Sequence, residues 1–310
     1  MSLFKRKQLP GLTGVALQPE GVCVVRVDRN GAQPPALTLA DFRPWAEADG
    51  EAKLLARLAA DHDLKRSRVA TVLDQKDYSL LVTEAPDVPA DELRAALRWR
   101  IKDLIDFHIN DATLDVFDLP GERPTGRARS MYAVAARSQA IQRIADLMQA
   151  AGVNLQIIDI AELAQRNVAA LLPEDAAGVM LLSLNPGGGL ITITRQGDLY
   201  LSRSIDVGIE ALARASDPTG YFERIALEVQ RSLDYYDSHF RQAPIGHLAL
   251  APLPEPIPGL VEHLAANLNV AVSPMDLMKL LRCERELSPV LQSVCLPAIG
   301  AALRYEERAL

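Results

Sequence analysis

The chain has 310 residues, enough for about two domains, and its 49% apolar and 24% charged residues are ordinary for a globular protein. The formal net charge of −7 argues against a general nucleic-acid binder, because phosphate contacts need a concentrated basic surface. No run of about 18 apolar residues is present, so no membrane-spanning helix is expected. The basic cluster at residues 5–7 is not followed by an apolar core, so it is not a signal peptide. Beside Leu3 and Phe4 it is typical either of a solvated tail, which we favour, or of a contact with an anionic membrane surface.

The cysteines and histidines suggest no metal site. Cys23, Cys283 and Cys295 are far apart and odd in number, and none forms a CxxC pair. We therefore expect reduced structural thiols in a reducing cytoplasm rather than a disulfide framework or a zinc site. The five histidines have neither HExxH nor His-Cys spacing, so we expect no bound metal.

Strand and helix patterns occur twice in the same order. The first set predicts three strands, a helix and a fourth strand, at residues 13–17, 22–28, 36–42, 51–60 and 68–73. The second set predicts three strands, a long helix and a strand-helix-strand unit, at residues 178–184, 190–194, 199–205, 221–240, 247–251, 259–267 and 270–273. This duplication favours an α/β protein with two ribonuclease-H-like halves facing a cleft, as in the actin and sugar-kinase superfamily.

Residues 78–159 fit neither half. They predict a strand at 78–84, a helix at 90–105, strands at 114–117 and 131–135, a helix at 139–151 and a strand at 155–159. We interpret this βαββαβ unit as an inserted subdomain, and residues 160–172 as a helix linking the halves. The predicted domains are therefore 1–173, which includes the insert, and 174–310.

Two runs carry a family resemblance. Residues 84–105, with Pro86, Pro89 and Trp99, resemble the MshI (MSHA pilus biogenesis) branch of the PilM-like family of type IV pilus assembly proteins. Residues 228–236 resemble the PilM helix that follows the second phosphate turn, and residues 1–12 also look like the MshI start. The resemblance covers nearly the whole chain.

The resemblance implies a fold, a partner and a location. It implies the actin-like ATPase fold, with a last helix at about 289–303 that crosses back onto the first half. The implied partner is the cytoplasmic tail of a PilN-like inner-membrane protein, MshJ-like in an MSHA system. The tail would lie in a groove between the first half and the insert, holding this cytoplasmic chain at the periphery of the inner membrane.

The nucleotide site of that fold looks degenerate at its first phosphate turn. Such a site needs glycines, whose backbone N–H groups reach the phosphates, and an aspartate to position Mg²⁺. In the first turn, which ends at Gly21, Ala16 replaces the aspartate and Gln18 the glycine. Pro19 removes a donor, and Glu20 places a like charge beside a phosphate, costing roughly 4 kcal/mol at 4 Å and a dielectric near 20.

The second turn and the adenosine loop have also diverged. Ser183 and Asn185 replace the aspartate and glycine of the second turn. The run Gly187, Gly188 and Gly189 is compatible with either an anion nest or a flexible hairpin turn. Prolines stiffen the loop that begins at Ala251 and Pro252, where the adenosine-binding glycines would be.

We therefore expect a pseudo-ATPase without a cofactor. The alternative is an active ATPase of the same machinery that binds ATP and Mg²⁺ through unusual turns. A sugar or acetate-type kinase is the weakest hypothesis, because no candidate base aspartate lies in a recognisable motif. Asp28 and Asp206 lie near strand ends, where surface aspartates are common. Walker A, Gly-x-Ser-x-Gly and recognisable carboxylate pairs are absent from the sequence.

One helix face is a candidate partner surface. Arg94, Arg98 and Lys102 follow each other at i, i+4 and i+8, which is typical either of a solvated face or of a binding stripe. Trp99 lies beside this row and off the apolar stripe, and half-exposed tryptophans are frequent at interfaces.

Overall fold

A computed structural model describes residues 8–29, 34–45, 50–89, 92–121 and 129–306. The basic cluster predicted at residues 5–7 lies outside these ranges. Within them, no helix is both long enough and apolar enough to cross a bilayer.

The described residues form three β-sheets surrounded and joined by helices. The strands are β1 (Leu12–Gln18), β2 (Gly21–Asp28), β3 (Ala36–Pro44), β4 (Arg68–Val72), β5 (Tyr78–Glu84), β6 (Ala112–Asp118), β7 (Ser130–Arg137), β8 (Leu155–Asp159), β9 (Val179–Leu184), β10 (Gly189–Arg195), β11 (Asp198–Ile205), β12 (His247–Leu250), β13 (Ala271–Pro274) and β14 (Arg282–Cys283). The helices are α1 (Glu51–Asp61), α2 (Leu93–Ile101), α3 (Ser138–Ala150), α4 (Ala161–Ala169), α5 (Ile209–Arg214), α6 (Thr219–His239), α7 (Leu260–Asn267), α8 (Leu277–Leu280) and α9 (Pro289–Ala302).

The two large sheets have equivalent strand orders. The first is six-stranded, β14-β3-β2-β1-β4-β8, and the second is five-stranded, β11-β10-β9-β12-β13. In each sheet, three strands joined by hairpins pair antiparallel. Two further strands, each reached through a helical crossover, then extend the sheet in parallel. The predicted pair of ribonuclease-H-like halves is therefore confirmed, and β14 adds a strand from the second half to the first sheet by pairing with β3.

The predicted βαββαβ insert is wrong at its far end. β8 pairs with β4 in parallel and so belongs to the first sheet. Helix α3 shares a core with α1, in which Leu55 and Leu58 pack with Ile144 and Met148. The separate sheet is three-stranded, β5-β7-β6, with α2 on one face. We call residues 78–137 the insert from here on.

Helices α4 and α9 lie side by side between the two large sheets. α4 packs against β9, β10 and β11, whereas α9 packs against β1, β2 and β4. A glycine lies at the close contact between β1 and α9, and another at the close contact between α9 and α4. A Cβ on Gly14 would lie 1.9 Å from the carbonyl oxygen of Ala298, and one on Gly300 would lie 2.2 Å from that of Ala164. Each sheet is therefore covered by a helix that belongs, in sequence, to the other half.

The cysteine prediction is wrong. Cys23 on β2 and Cys295 on α9 are fully buried and form a disulfide, with their Cα atoms 5.6 Å apart. The two positions are separated by 272 residues, so no local spacing could reveal the pair. The bond ties the last helix to the first sheet, and Cys283 is a free thiol.

Thiol titration tests this pairing. In denaturant without reductant, we expect one reactive thiol per chain, because Cys283 is the only one of the three cysteines outside the disulfide. After reduction with dithiothreitol and removal of the reductant, all three should react. Three reactive thiols before reduction would show that the disulfide is absent from the isolated protein.

Candidate functional site

The turn at residues 16–21, predicted to be the first phosphate turn, is held by contacts within the protein. Gln18 donates from Nε2 to the carbonyl oxygen of Val294 on α9 at 2.7 Å. The indole of Trp45 donates to the carbonyl oxygen of Gln18 at 2.7 Å, and its backbone N–H donates to that of Glu20 at 3.1 Å. Pro19 supplies no N–H at the tip. The side-chain amide of Gln18 and the carbonyl oxygens of Gln18 and Glu20 are therefore already hydrogen-bonded to α9 and Trp45.

Ala16 and Gly21 flank this turn. Ala16, at the place of the metal-positioning aspartate, is buried in the core shared by the two halves. Gly21 packs against β3, and a Cβ there would lie 2.2 Å from the carbonyl oxygen of Arg43. The absence of a side chain at Gly21 therefore allows β2 and β3 to pack closely.

The second turn is closed by its own asparagine. Asn185 accepts hydrogen bonds at Oδ1 from the backbone N–H groups of Gly187 and Gly188, at 3.1 and 2.7 Å. Its carbonyl oxygen accepts from the N–H of Ile209 at 2.9 Å. The amides that would form an anion nest are thus already used in an Asx turn. A phosphate would have to displace the Asn185 side chain to reach them.

Ser183 and Gly189 also have internal roles. Ser183 donates to Gln165 Oε1 of the linking helix α4 at 2.6 Å. Gln165 donates from Nε2 to Thr192 Oγ1 at 3.1 Å and to carbonyl oxygens of β9 and β10. A Cβ on Gly189 would lie 2.8 Å from the carbonyl oxygen of Ser183. This network fixes α4 on the second sheet.

The remaining candidate positions show no metal-binding geometry. Ala251 is buried, and its N–H donates to a carbonyl oxygen of β9 at 2.8 Å, so Pro252 follows directly on a sheet contact. Asp206 forms an exposed ion pair with Arg224 at 2.7 Å, and Asp28 is the last residue of β2. Within the described residues, no cluster of three or more His, Cys, Asp or Glu could hold a metal ion.

The predicted partner surface on α2 divides into two parts. Arg98 donates at 2.8 and 2.9 Å to two backbone carbonyls at and just before the start of β6, and Arg94 pairs with Asp115 at 3.1 Å. These two arginines hold α2 on the insert. Trp99 is 76% exposed, and the Lys102 ammonium lies 5.7 Å from its ring centroid. Helix α2 also ends at Ile101, four residues before the predicted end.

The insert packs on the body of the protein along a narrow aromatic seam. On the sheet face opposite α2, the rings of Phe117 and Tyr132 stack with their centroids 4.8 Å apart. The Tyr132 hydroxyl donates to the carbonyl oxygen of Tyr200 on β11 at 3.0 Å. A cavity lies on each side of this seam, one toward each half.

The cavity toward the first half is a groove of about 210 Å³. Phe117 and Val134 line it from the insert, and five consecutive residues, 156–160, line it from β8 and the start of α4. β6 and β8 are the outer strands of their sheets, so each presents a backbone edge without a strand partner among the described residues. We call this cavity the docking groove. It combines apolar side chains with two available strand edges.

A buried ion pair forms part of the docking groove. Asp159 at the end of β8 pairs with Arg304, beyond α9, at 2.9 Å, and both side chains are buried. Burial raises the pKa of the Asp159 carboxyl, and the Arg304 guanidinium opposes that rise. The pair connects the segment after α9 to the wall of the groove.

The cavity toward the second half has a volume of about 310 Å³ and contains a buried carboxyl group. Glu162, in the first turn of α4, accepts a hydrogen bond from the Tyr78 hydroxyl at 2.5 Å. Val82 and Leu80 line it from β5, and β11 lines it opposite. We call it the Glu162 cavity. Sequence reasoning missed Glu162, because an acidic residue in the first turn of a helix is common and does not by itself indicate a buried carboxyl group.

Burial raises the pKa of the Glu162 carboxyl, and Tyr78 partly offsets this rise. A raised folded-state pKa means that this group's favourable contribution is complete below the unfolded pKa. The contribution is lost as the pH rises through the folded pKa. We therefore expect Glu162→Gln, which keeps a partner for Tyr78, to stabilise the protein by about 1 kcal/mol at neutral pH.

Urea denaturation at two pH values measures this effect. The free energies of unfolding of the variant and the wild type should differ at a pH of about 7.5 and converge at about 3, below the unfolded pKa, where the carboxyl is protonated in both states. Equal destabilisation at both pH values would show that the glutamate oxygen makes contacts that an amide cannot replace.

The duplicated sheets and the crossing helices together define an actin-like ATPase fold. The chain is similar to a chain of the "PilM-PilN type IV pilus biogenesis complex", with a TM-score of 0.71 and 20% identity, over 94% of this chain and 98% of that one. It is also similar to the cytoplasmic domain of EpsL, an inner membrane component of the type II secretion system of Vibrio cholerae. That match has a TM-score of 0.51 and 13% identity, over 92% and 93% of the two chains.

A third similar structure is a Bacteroides thetaiotaomicron protein with an actin-like ATPase fold and unknown function, with a TM-score of 0.51 and 11% identity over 89% and 94% of the two chains. No protein-family model matches the chain, and no curated protein does. At these identities the similarities establish the fold.

Proposed function

We propose that this chain is an assembly protein of a type IV pilus machine that binds the cytoplasmic tail of a PilN-like inner-membrane protein. The docking groove is the observation that carries this proposal. It lies between the first half and the insert, in a fold that matches a chain of the PilM–PilN complex over nearly its full length. The chain would then act at the cytoplasmic face of the inner membrane, without a membrane span of its own in the described residues.

The groove suits an extended peptide. A backbone can add to the edge of β8 or β6, while an apolar side chain packs on Phe117 and Val134. The resemblance of residues 84–105 favours an MSHA-type system with an MshJ-like partner. In this role the protein is a scaffold that joins a membrane component to the rest of the machine.

Peptide binding with hydrogen exchange tests the proposal. A synthetic peptide of the partner's tail should bind the intact chain and slow amide exchange in β8 and β6, and a scrambled tail should not. Binding without protection at residues 112–118 and 155–159 would place the docking site elsewhere. Absence of binding would refute the proposed partner.

We further propose that the chain is not a working ATPase. The amides of Gly187 and Gly188 are already bonded to Asn185, and the first turn contacts Trp45 and α9. We expect no saturable binding isotherm in calorimetry with about 1 mM Mg-ATP, whereas a micromolar site, with a binding free energy of about −8 kcal/mol, would saturate well below that concentration. A micromolar dissociation constant would favour the alternative, a nucleotide-binding ATPase of the same machinery.

A further inference from the structure

Glu162 brings a carboxyl group into the Glu162 cavity without a positively charged partner among the described residues. Among the described residues, no lysine or arginine forms an ion pair with Glu162, and its polar contacts are the Tyr78 hydroxyl, Gln75 and its own backbone amide. The one arginine that lines the cavity, Arg203, is already paired with Glu228 at 3.0 Å. A buried carboxylate without a counter-ion is costly, and a cation entering the cavity would remove part of that cost.

The opposite wall of the same cavity is a strand edge without a strand partner among the described residues, although the Tyr132 hydroxyl donates to the carbonyl oxygen of Tyr200 on this strand. β11 is the outer strand of the second sheet, and its consecutive residues 200–204 line the cavity. The register with β10 shifts between Ile193 and Thr194, which leaves Tyr200 without a partner residue on β10. An edge of this kind binds an extended backbone by strand addition.

Apolar side chains at the cavity are exposed in addition to these polar features. Val82 on β5 is 51% exposed and Tyr235 on α6 is 40% exposed, and both line the cavity. They line the same cavity as the carboxyl group and the edge of β11.

We propose that the Glu162 cavity is a second peptide site, which takes the lysine or arginine side chain of an extended segment running along β11. Glu162 is the counter-ion, β11 holds the backbone, and Val82 and Tyr235 cover the aliphatic part of the basic side chain. The site lies across the Phe117–Tyr132 seam from the docking groove, on the same face of the insert sheet. It is therefore independent of the partner proposed for that groove.

A differential selection tests this site. A library of displayed heptapeptides is selected on the intact wild-type protein after depletion on the Glu162→Gln variant. We expect the surviving peptides to share a lysine or arginine at one position. Failure to enrich any peptide after depletion, or enrichment of peptides without a basic residue, would overturn the proposal.

Affinity measurements on a selected peptide complete the test. By fluorescence anisotropy, Glu162→Gln and a lysine-to-norleucine peptide should each weaken binding at least about 10-fold. Asp234→Asn, which removes an exposed acid beside Tyr235, should leave the affinity unchanged, as should Ile157→Arg in the docking groove. The norleucine peptide keeps the test valid even where Glu162→Gln fails to fold.

Two results on affinity would contradict the proposal. Equal affinity of the lysine and norleucine peptides for the wild type would show that no cation is recognised. Equally tight binding of n-butylamine and of the whole peptide would show that the cavity recognises a free amine and that β11 contributes nothing.

Discussion

Replacement of Ile157 by arginine is expected to weaken binding of the PilN-like tail by at least about 100-fold, because a charge in the centre of an apolar contact removes a buried anchor. Ile157 lines the docking groove and is half-buried. It is absent from the hydrophobic clusters of the described residues, so the fold should tolerate the change. Calorimetry with the tail peptide measures the loss.

Val82→Arg is the matched control for this prediction. Val82 is 51% exposed on the same face of the insert sheet, but it lines the Glu162 cavity instead of the groove. Tail binding should therefore be unaffected by this change. Equal losses for the two variants would show a general effect of positive charge, and no loss for Ile157→Arg would remove the groove as the docking site.

Deletion of residues 78–159 is a poor test of the same idea. It would remove β8 from the first sheet and α3 from the core beneath α1. Any loss of tail binding would then follow from unfolding of the first half. A single substitution in the groove wall separates docking from folding.

Gly14→Ala is expected to lower the free energy of unfolding by at least about 3 kcal/mol, an effect in the range of severe overpacking. The added methyl group would lie 1.9 Å from the carbonyl oxygen of Ala298, so β1 and α9 would have to separate. Both are backbone elements of the shared core, with no flexible side chain to move aside. Guanidinium denaturation of the variant and the wild type measures the difference.

Gly220→Ala is the control for the cost of the substitution itself. No atom lies within 4 Å of a Cβ at Gly220, in the first turn of α6, so alanine there should be neutral or stabilise the protein by up to about 1 kcal/mol. A loss below about 1 kcal/mol for Gly14→Ala would mean that the helix and the strand can move apart easily.

Local patterns were sufficient to predict the individual strands and most of the helices. β-branched runs bounded by turn residues predicted β1, β2 and β9 to β11 within one or two residues. Helix α2 was predicted too long because Leu104 and Ile105 continue its apolar period. The chain instead turns after Ile101, where the N–H of Leu104 donates to its carbonyl oxygen, and Leu104 is 59% exposed.

Long-range pairing was beyond a single sequence. The pattern of residues 155–159 predicts a strand but does not indicate which sheet it joins, since its partner β4 lies more than 80 residues earlier. The disulfide and both cavities likewise bring together segments that are far apart in the sequence. Glu162 was overlooked for the same reason, because its importance depends on Tyr78 and on a strand of the other half.

The exchange of helices between the halves has a consequence for cutting the chain. A break near residue 173 would leave the first fragment with α4 but without α9, the helix that covers its own sheet. The second fragment would carry α9 and lack α4. Each fragment would expose an apolar sheet face that only the other fragment can cover. The fragments should therefore fold when they bind each other, as the two parts of a split reporter protein do. The two halves are thus domains by topology, but not units that can be expressed separately.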